Sequence, residues 1–398
     1  MKVSIEHRGL ALELDDGILE RYERELELLG DTPRVRAVYA AAHVVMHKSY
    51  KDVEHSLQAP APGGEIAPHI NWKATAKLRS RLDSLGFGIA EAMDTAQRFH
   101  IGWDNALRLI EDTGRAQLTN GFVAGAGVDH LAEVEHEDQL VAGVVFQVKA
   151  IQSAGGIAIL LPLVWLCANH YDEQGYVRVY KRIIDACDGP LLVHWLGEMF
   201  LPALAGYFPG ASFSRIMALD PGKVRGAKLS LLDADIERRL RKELLERDQI
   251  MLTGDDFNFG TLMAGHEVLR TTELAGESLP LGDFSHGLLG IFDGVARPAS
   301  LALKFLAHDK HDRYLELMAP CERLGRHLFQ APTQHYKAGL AFLSWLNGHQ
   351  DNPMLALHEQ RARDLAHYCE AARLASLAGA IEHAGEAGKR LERLLGQS

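Results

Sequence analysis

Short apolar segments alternate with longer stretches of helical periodicity along most of the chain. Short apolar runs beside Gly or Pro are typical of buried strands, whereas apolar positions three or four residues apart predict amphipathic helices. On these criteria, strands are predicted over residues 35–42, 86–92, 121–126, 156–161, 190–195, 224–230, 249–253 and 287–292. Helices are predicted between them, over residues 72–85, 103–113, 136–153, 173–187 and 233–247.

Strands that each lead into a helix predict a parallel sheet with crossover helices. Eight such units within about 260 residues suit a closed barrel better than an open, doubly wound sheet. No GxGxxG or Walker loop follows the first predicted strand, so a nucleotide-binding fold loses support. We therefore expect an α/β protein, a (β/α)8 TIM barrel with a C-terminal helical extension.

The chain after Pro298 is helical in pattern, with helices predicted over residues 299–306, 312–329, 336–346 and 354–388. The last of these interleaves Ala with Arg and Glu, as expected of a helix that packs on a neighbour or on a second subunit. The predicted domains are an N-terminal extension over residues 1–34, the barrel over residues 35–310 and a C-terminal helical region over residues 311–398.

The composition narrows the range of partners and compartments. The formal net charge of −11 argues against a broad surface for nucleic acid or for anionic membranes. The most apolar run, residues 155–168, is too short to span a bilayer and contains Pro162. The four cysteines form no CxxC pair, so neither a disulfide framework nor a zinc knuckle is indicated. We expect a cytoplasmic protein without a bound metal or cofactor.

The working residues of such barrels lie at the carboxyl ends of the strands and in the loops that follow. One of them, Lys228, stands among small and apolar neighbours in the segment GAKLSL. A lysine buried on a strand is either paired or neutral, because desolvating an ammonium is costly. A neutral amine attacks carbonyls to form Schiff bases, whereas the alternative is a structural ion pair. The strand-end rule selects His43, Glu91, Asp94, Asp129, His194, Lys228, Asp255 and Asp256.

The segment around Lys228 resembles a known motif. Residues 224–233, VRGAKLSLLD, are similar to the sixth-strand motif Gly-x-Lys-Glu-Ala-Ser/Thr-Gly-Asp of the dihydrodipicolinate synthase and N-acetylneuraminate lyase superfamily. The matching residues are Gly226, Lys228, Ser230 and Asp233. Further segments resemble the seventh strand (249–256, QIMLTGDD), the eighth-strand turn (285–293, SHGLLGIFD) and the third strand (122–131, FVAGAGVDHL). The resemblance extends over residues 35–346.

The resemblance implies a lyase or aldolase in which Lys228 forms a Schiff base with a small-molecule carbonyl substrate. It also implies a homo-oligomer, either a dimer or a tetramer. The family's second-strand loop, Gly-Thr-Thr-Gly-Glu, grips the substrate carboxylate, but residues 93–97 (MDTAQ) stand there in this chain. Thr95 keeps one hydroxyl and Asp94 replaces the other, and a carboxylate beside a carboxylate is repulsive. Either Asp94 is protonated, or it points away, or the pocket does not take a pyruvate-type carboxylate. A polyhydroxylated, sugar-like substrate would suit Asp94 and Glu91 better, since its hydroxyls donate to carboxylates.

A second departure concerns the fourth strand, where the family's Pro-Tyr-Tyr-Asn motif supplies a catalytic tyrosine. No alignment of this segment places a tyrosine there, and one alignment places Trp165, a candidate substrate contact. Tyr171 lies nearby, and His194 falls where the family often has a tyrosine on the fifth strand. Tyr171 and His194 are therefore the candidates for moving protons, and histidine suits acid–base work near neutral pH.

Three further strand-end residues are candidate substrate contacts. His43 ends the first predicted strand, where it either binds substrate or caps the strand. Asp255 and Asp256 follow the seventh predicted strand. One of these two is expected to orient Lys228 or a substrate hydroxyl, and the other to cap the helix that begins at Phe257.

Three functions remain open on the sequence alone. The first is a Schiff-base lyase or aldolase that acts through Lys228 on a keto acid or a sugar-like carbonyl compound. The second is a metal-dependent lyase or epimerase of sugar-like compounds, although no HxH or HExxH spacing supports it. Its metal ligands would come from His43, Glu91, Asp94, His194 and Asp255. The third is a non-catalytic barrel that binds a small ligand or a partner.

Overall fold

The computed structural model describes residues 1–7, 10–30 and 32–396, and within them eight parallel strands close into a barrel. The predicted (β/α)8 barrel is thereby confirmed, and each predicted strand segment overlaps one barrel strand. The barrel strands run in the order β3 to β9 and then β12, which pairs with β3. The strands are β1 Lys2–His7, β2 Leu10–Asp15, β3 Val38–Ala40, β4 Gly88–Glu91, β5 Phe122–Ala126, β6 Ile157–Leu160, β7 Leu191–Leu196, β8 Val224–Ser230, β9 Ile250–Thr253, β10 Val268–Leu274, β11 Glu277–Gly282 and β12 His286–Leu289.

The helices surround the barrel and fill the C-terminal part of the chain. None of them, in the ranges that the structure describes, is both long enough and apolar enough to cross a membrane. They are α1 Glu20–Glu27, α2 Gly63–Ile66, α3 Trp72–Ser84, α4 Arg98–Ile101, α5 Trp103–Arg115, α6 Glu137–Ser153, α7 Val164–Ala168, α8 Glu173–Ala186, α9 Ser212–Met217, α10 Ala234–Leu245, α11 Phe259–Met263, α12 Phe292–Ala307, α13 His311–Leu328, α14 Lys337–Leu346, α15 Leu365–Leu377 and α16 Ala384–Gly396.

Side chains alternate between the barrel interior and the surrounding helices, as the period of a strand requires. In β7, Leu192 packs inside the barrel, whereas Leu191 and Val193 pack outside it. Lys228 of β8 pairs in register with His194 of β7. Each of the two alternates with outward-packed neighbours, so both side chains point into the barrel.

A close approach of two strands explains one residue of the motif around Lys228. A Cβ atom on Gly226 would lie 2.4 Å from the backbone oxygen of Ile250 on β9. Any larger residue would therefore push these two strands apart. The glycine keeps β8 and β9 close enough to hold Lys228 in the barrel wall.

Two hairpins add to the barrel, and the sequence pattern predicted neither. β10 and β11 form an antiparallel hairpin between the seventh and eighth barrel strands. β1 and β2 form the other, which packs against α15 and α16 near the C-terminus. Ser376 Oγ accepts a 2.9 Å hydrogen bond from the Asp15 amide, which joins the two ends of the chain. The domain boundaries at residues 34/35 and 310/311 stay a prediction.

The C-terminal helices differ from the prediction in two places. The single helix predicted over residues 354–388 is wrong, because a 3₁₀ segment (Ala356–Ala362) and the two helices α15 and α16 occupy that range. Leu357 and Gly379 both have positive φ, at 56° and 70°, which an α-helix does not tolerate. The helix predicted from residue 299 begins at Phe292 instead, and it contains Pro298.

Buried hydrogen bonds fasten the C-terminal region to the first barrel strand. His43 is fully buried, and its Nε2 lies 2.6 Å from Gln350 Oε1 while its Nδ1 contacts Asp293. Nearby, Asn352 donates a 3.0 Å hydrogen bond to the backbone oxygen of Met46. His43 therefore connects the barrel to the C-terminal helices, and both of its ring nitrogens have hydrogen-bond partners within the protein. That His43 contacts substrate stays a prediction, which these two partners do not favour.

Replacing His43 by alanine tests this connection. We expect His43→Ala to lower the free energy of unfolding by about 2–4 kcal/mol, because Asp293 and Gln350 would be left buried without their partner. Urea denaturation measures the change. His47→Ala is the matched control, since His47 is exposed, and it should stay within about 0.5 kcal/mol. Equal losses in the two variants would contradict the interpretation.

Candidate active site

Lys228 lies inside the barrel wall without a permanent partner. Its side chain is buried, yet Nζ forms no hydrogen bond or ion pair with any described residue. The nearest charged groups are the carboxyls of Asp94 and Asp256, which interact with it through space. Burial lowers the pKa of Lys228, and these two carboxyls oppose that effect. The amine of Lys228 is therefore more readily neutral than the amine of an exposed lysine.

Gly254 makes room for the Lys228 side chain. A Cβ atom at this position would lie 2.7 Å from Lys228 Cε and 2.2 Å from Ser230 Oγ. The small residue directly after β9 therefore keeps the amine free to reach the mouth of the barrel. This is a physical reason for glycine in the segment QIMLTGDD.

The two carboxyls beside Lys228 have different surroundings. Asp256 is only 4% exposed and accepts a 2.9 Å hydrogen bond from the amide of Ile291. Burial raises the pKa of Asp256 to about 8, so this carboxyl is protonated at neutral pH. Asp94 lies in the 3₁₀ turn Asp94–Ala96 and accepts a 3.0 Å hydrogen bond from the Tyr336 hydroxyl. One carboxyl is thus a proton donor, and the other is held by a phenol.

Tyr336 reaches the site from the C-terminal region and was not among the predicted residues. It immediately precedes α14, and its hydroxyl bonds to Thr95 Oγ1 as well as to Asp94. Its ring stacks on Phe329 with centroids 4.1 Å apart. Burial holds the pKa of Tyr336 well above its ordinary value, so the phenol keeps its proton. The chain therefore supplies a tyrosine near Lys228 from a segment far away in sequence.

His194 lies next to Lys228 on the neighbouring strand. Its Nε2 is 3.2 Å from Ser230 Oγ, and its buried Nδ1 has no hydrogen-bond partner among the described residues. Burial, assisted by the nearby Lys228, holds the pKa of His194 well below its usual range. His194 is therefore a neutral imidazole at physiological pH, placed beside the amine but sealed from solvent.

Glu91 is held by hydrogen bonds within the protein, and its contact with substrate stays a prediction. Its carboxylate is fully buried and accepts hydrogen bonds from Arg79 Nε at 2.7 Å and Arg79 Nη2 at 2.8 Å. Thr113 Oγ1 donates a third hydrogen bond at 2.7 Å. Both carboxylate oxygens are thereby used within the protein, so none is left for a sugar hydroxyl.

Three other predicted residues have partners of their own. The Tyr171 hydroxyl donates to Glu137 at 3.3 Å, and the Trp165 indole donates to the Val134 carbonyl at 2.8 Å. Asp255 accepts hydrogen bonds from the Phe257 and Asn258 amides and so caps the turn before α11, which begins at Phe259 and not at the predicted Phe257. The structure therefore groups Lys228 with Asp94, Thr95, Asp256 and His194, and it engages these three side chains elsewhere.

A cavity of about 450 Å³ includes Asp94 in its wall. Because Asp94 also acts on Lys228, the cavity adjoins this group of residues. Its wall further carries His100, His335, Lys337 and Glu359. Its volume lies within the range of small-molecule sites.

The structure offers no ligand set for the metal-dependent alternative within the ranges it describes. No group of three or more His, Cys, Asp or Glu side chains there is arranged to hold a metal ion. Of the residues named for that alternative, His43 and Glu91 are occupied by neighbouring side chains, and Asp255 caps a helix turn.

Comparison with known proteins gives a family and a fold. The model of the family described as "Protein of unknown function (DUF993)" matches residues 11–398. No protein with a curated description matches the chain. Among solved structures, the chain is similar to a putative dihydrodipicolinate synthetase from Pseudomonas aeruginosa, with 14% identity and a TM-score of 0.58. That match covers 87% of this chain and 98% of the other.

Two further structures share the fold. YagE, a prophage protein from E. coli belonging to the dihydrodipicolinic acid synthase family and solved in complex with pyruvate, has 11% identity and a TM-score of 0.60. It covers 86% of this chain and 98% of its own. The sialic acid aldolase of Ruminococcus gnavus has 13% identity and a TM-score of 0.58, with 87% and 98% covered. These likenesses show a common barrel fold.

The ion pair between Arg79 and Glu91 can be tested by a double-mutant cycle. We expect Arg79→Met alone to cost about 3–5 kcal/mol of unfolding free energy, because it leaves Glu91 charged and buried. Adding Glu91→Gln should recover part of that loss, with a coupling energy of about 1–3 kcal/mol between the two sites. Chemical denaturation of the two single variants and the double variant measures it. Strictly additive losses would show that Glu91 does not depend on Arg79.

Proposed function

The chain belongs to the DUF993 family, and we propose that it is a lyase or aldolase-type enzyme in which Lys228 forms a Schiff base with a small carbonyl substrate. The observation that carries this proposal is a buried lysine amine without an ion-pair or hydrogen-bond partner among the described residues, next to Asp94 in the wall of a cavity. Burying an amine without a partner is unfavourable for folding alone. The same surroundings make it a nucleophile, because only the neutral amine attacks a carbonyl carbon.

The fold comparison supports the same chemistry by analogy. The similar structures carry the names of a dihydrodipicolinate synthase and a sialic acid aldolase, and one of them holds pyruvate. At 11–14% identity these names describe those proteins. For this chain they support aldolase-type chemistry only by analogy of fold. The proton transfers of the proposed reaction therefore have to be assigned to residues around Lys228.

Asp256 is suited to the formation of the imine. The Lys228 nitrogen bonds to the carbonyl carbon while the carbon–oxygen double bond becomes a single bond, and a proton passes from nitrogen to oxygen. The hydroxyl then leaves as water with the proton of Asp256, which the pKa of about 8 makes available at neutral pH. The products are a protonated imine, an Asp256 carboxylate and one water molecule, so atoms and charge balance.

Tyr336 and Asp94 are suited to the next proton transfer. The protonated imine withdraws electrons from the adjacent carbon, which allows a neighbouring C–H or C–C bond to break. Tyr336 donates its hydroxyl proton toward Asp94, so the phenol oxygen can take a proton from the substrate as Asp94 takes one from the phenol. Thr95 holds the phenol from the other side. Tyr336 thus stands in for the fourth-strand tyrosine that the sequence lacks.

Trapping with borohydride tests the imine. Incubation with a panel of ketones, aldehydes, oxo acids and ketoses, followed by reduction, should add the mass of the reduced substrate to the peptide that contains Lys228. Lys228→Ala should abolish the adduct and turnover. Lys223→Ala is the matched control, since Lys223 directly precedes β8 and its ammonium donates to the Ile184 and Cys187 carbonyls, so its loss should leave the adduct unchanged. If no carbonyl compound is ever trapped at Lys228, the proposal fails.

The pH dependence tests Asp256 as the proton donor. The trapping rate should fall as the pH rises through about 8, since the carboxyl that supplies the proton is lost above its pKa. The Asp256→Asn variant should be trapped more slowly at every pH, and its trapping rate should not show the fall above about pH 8 (the alkaline limb). Tyr336→Phe is expected to keep the limb, because Tyr336 acts after the imine has formed. An unchanged profile in Asp256→Asn would assign the proton to another group.

A further inference from the structure

The cavity beside Lys228 is mostly apolar along its length. Its wall includes Phe99, Val164, Leu196, Phe200, Leu201 and Pro202. Phe99 is 62% exposed, which is unusual for an aromatic ring of a folded protein unless it meets a ligand or a partner. Such a wall favours an alkyl chain or a ring in the middle of the substrate, and it offers few groups to a polyhydroxylated sugar.

A group of charged and polar residues lines another part of the cavity. Glu359 is 1% exposed and accepts hydrogen bonds from Gln97 Nε2 at 2.5 Å and His335 Nδ1 at 2.9 Å. Lys337 Nζ lies 3.8 Å from the same carboxylate. Although burial acts in the opposite direction, Lys337 and His335 hold the pKa of Glu359 at about 2. Glu359 is therefore always ionised and is used to orient its neighbours.

Donors remain free at this part of the cavity. An ammonium has three N–H donors, and Lys337 uses one of them on the Gln334 carbonyl, at 2.8 Å. His335 uses Nδ1 on Glu359, and an imidazole that donates from Nδ1 has a second N–H only as imidazolium, so the unused donors are those of Lys337. Lys337 lines the cavity. An anion there would accept hydrogen bonds from an ammonium that a buried carboxylate already positions.

Asp94 makes the other part of the cavity unfavourable for an anion. It lines the cavity and is also one of the two carboxyls that act on Lys228. A substrate carboxylate attached directly to the reacting carbonyl, as in pyruvate, would have to lie beside it. Two carboxylates at such short range repel each other strongly once water is excluded.

Building on the proposed function, we propose that the substrate carries its anionic group at the end remote from the reacting carbonyl. Lys337 binds that group, and an apolar chain or ring connects it to the carbonyl beside Lys228. The substrate class is therefore a remote oxo acid, in which several carbons separate the carbonyl from a carboxylate or an equivalent anion.

Binding measured without the imine tests this inference separately from the chemistry. In Lys228→Ala, calorimetry or ligand-observed NMR should show that 6-oxoheptanoate binds at least about tenfold more tightly than pyruvate or 2-heptanone. Adding Lys337→Met should remove this preference and leave 2-heptanone unchanged. Adding Lys337→Arg should retain most of it. Lys242→Met is the control, since Lys242 is exposed on α10.

Each outcome of this experiment decides the inference. Tighter binding of pyruvate, or equal loss of both seven-carbon ligands in Lys337→Met, would overturn it. Borohydride trapping of the same three probes by the unmodified protein then reports on the imine. A retained preference for 6-oxoheptanoate without any adduct at Lys228 would overturn the proposed function and leave the anion-binding end of the cavity standing.

Discussion

The chemistry proposed for this protein depends on the desolvation of one amine. A lysine inside a barrel wall loses its hydration, and most buried lysines recover the cost through an ion pair. Lys228 has no such pair among the described residues, while Asp94 and Asp256 act on it from a distance. Gly226 and Gly254 allow the strands and the side chain to fit together. The barrel therefore holds an amine whose pKa burial lowers, which is what the proposed chemistry requires.

The C-terminal region completes the site. Tyr336 is separated from Thr95 by 241 positions, yet their hydroxyls are bonded inside the protein. The next residue, Lys337, lines the cavity together with Glu359, which comes from the same region. His43 fastens this region to the barrel through Gln350. Because the barrel strands alone provide neither the phenol nor the Lys337–Glu359 pair, the segments that follow them contribute to the proposed site as well as to the packing.

The barrel was predictable because each strand is buried on both faces, which gives the sequence short and nearly continuous apolar runs. The hairpin β10–β11 was missed because its first strand is largely exposed, with Val268 at 56% and Leu269 at 52%, and follows no such rule. Lys228 was found by its apolar neighbours and by the motif around it. Tyr336 was not, since nothing local to residue 336 indicates contact with a loop in the first quarter of the chain.

The strand-end rule selects residues by position, but burial and partners decide what each one does. Glu91 and Asp256 are both buried carboxyls, and Arg79 neutralises only the first. Because Glu91 is paired with Arg79, its carboxylate stabilises the fold and has no free oxygen for a ligand. Without a cation within ion-pair distance, Asp256 avoids the cost of a buried charge by keeping its proton, and a carboxyl that is protonated at neutral pH is an acid. Buried ionisable groups without a counter-charge at the mouth of a barrel are therefore better candidates for catalysis than residues chosen by position alone. Those with a counter-charge are better candidates for a structural role.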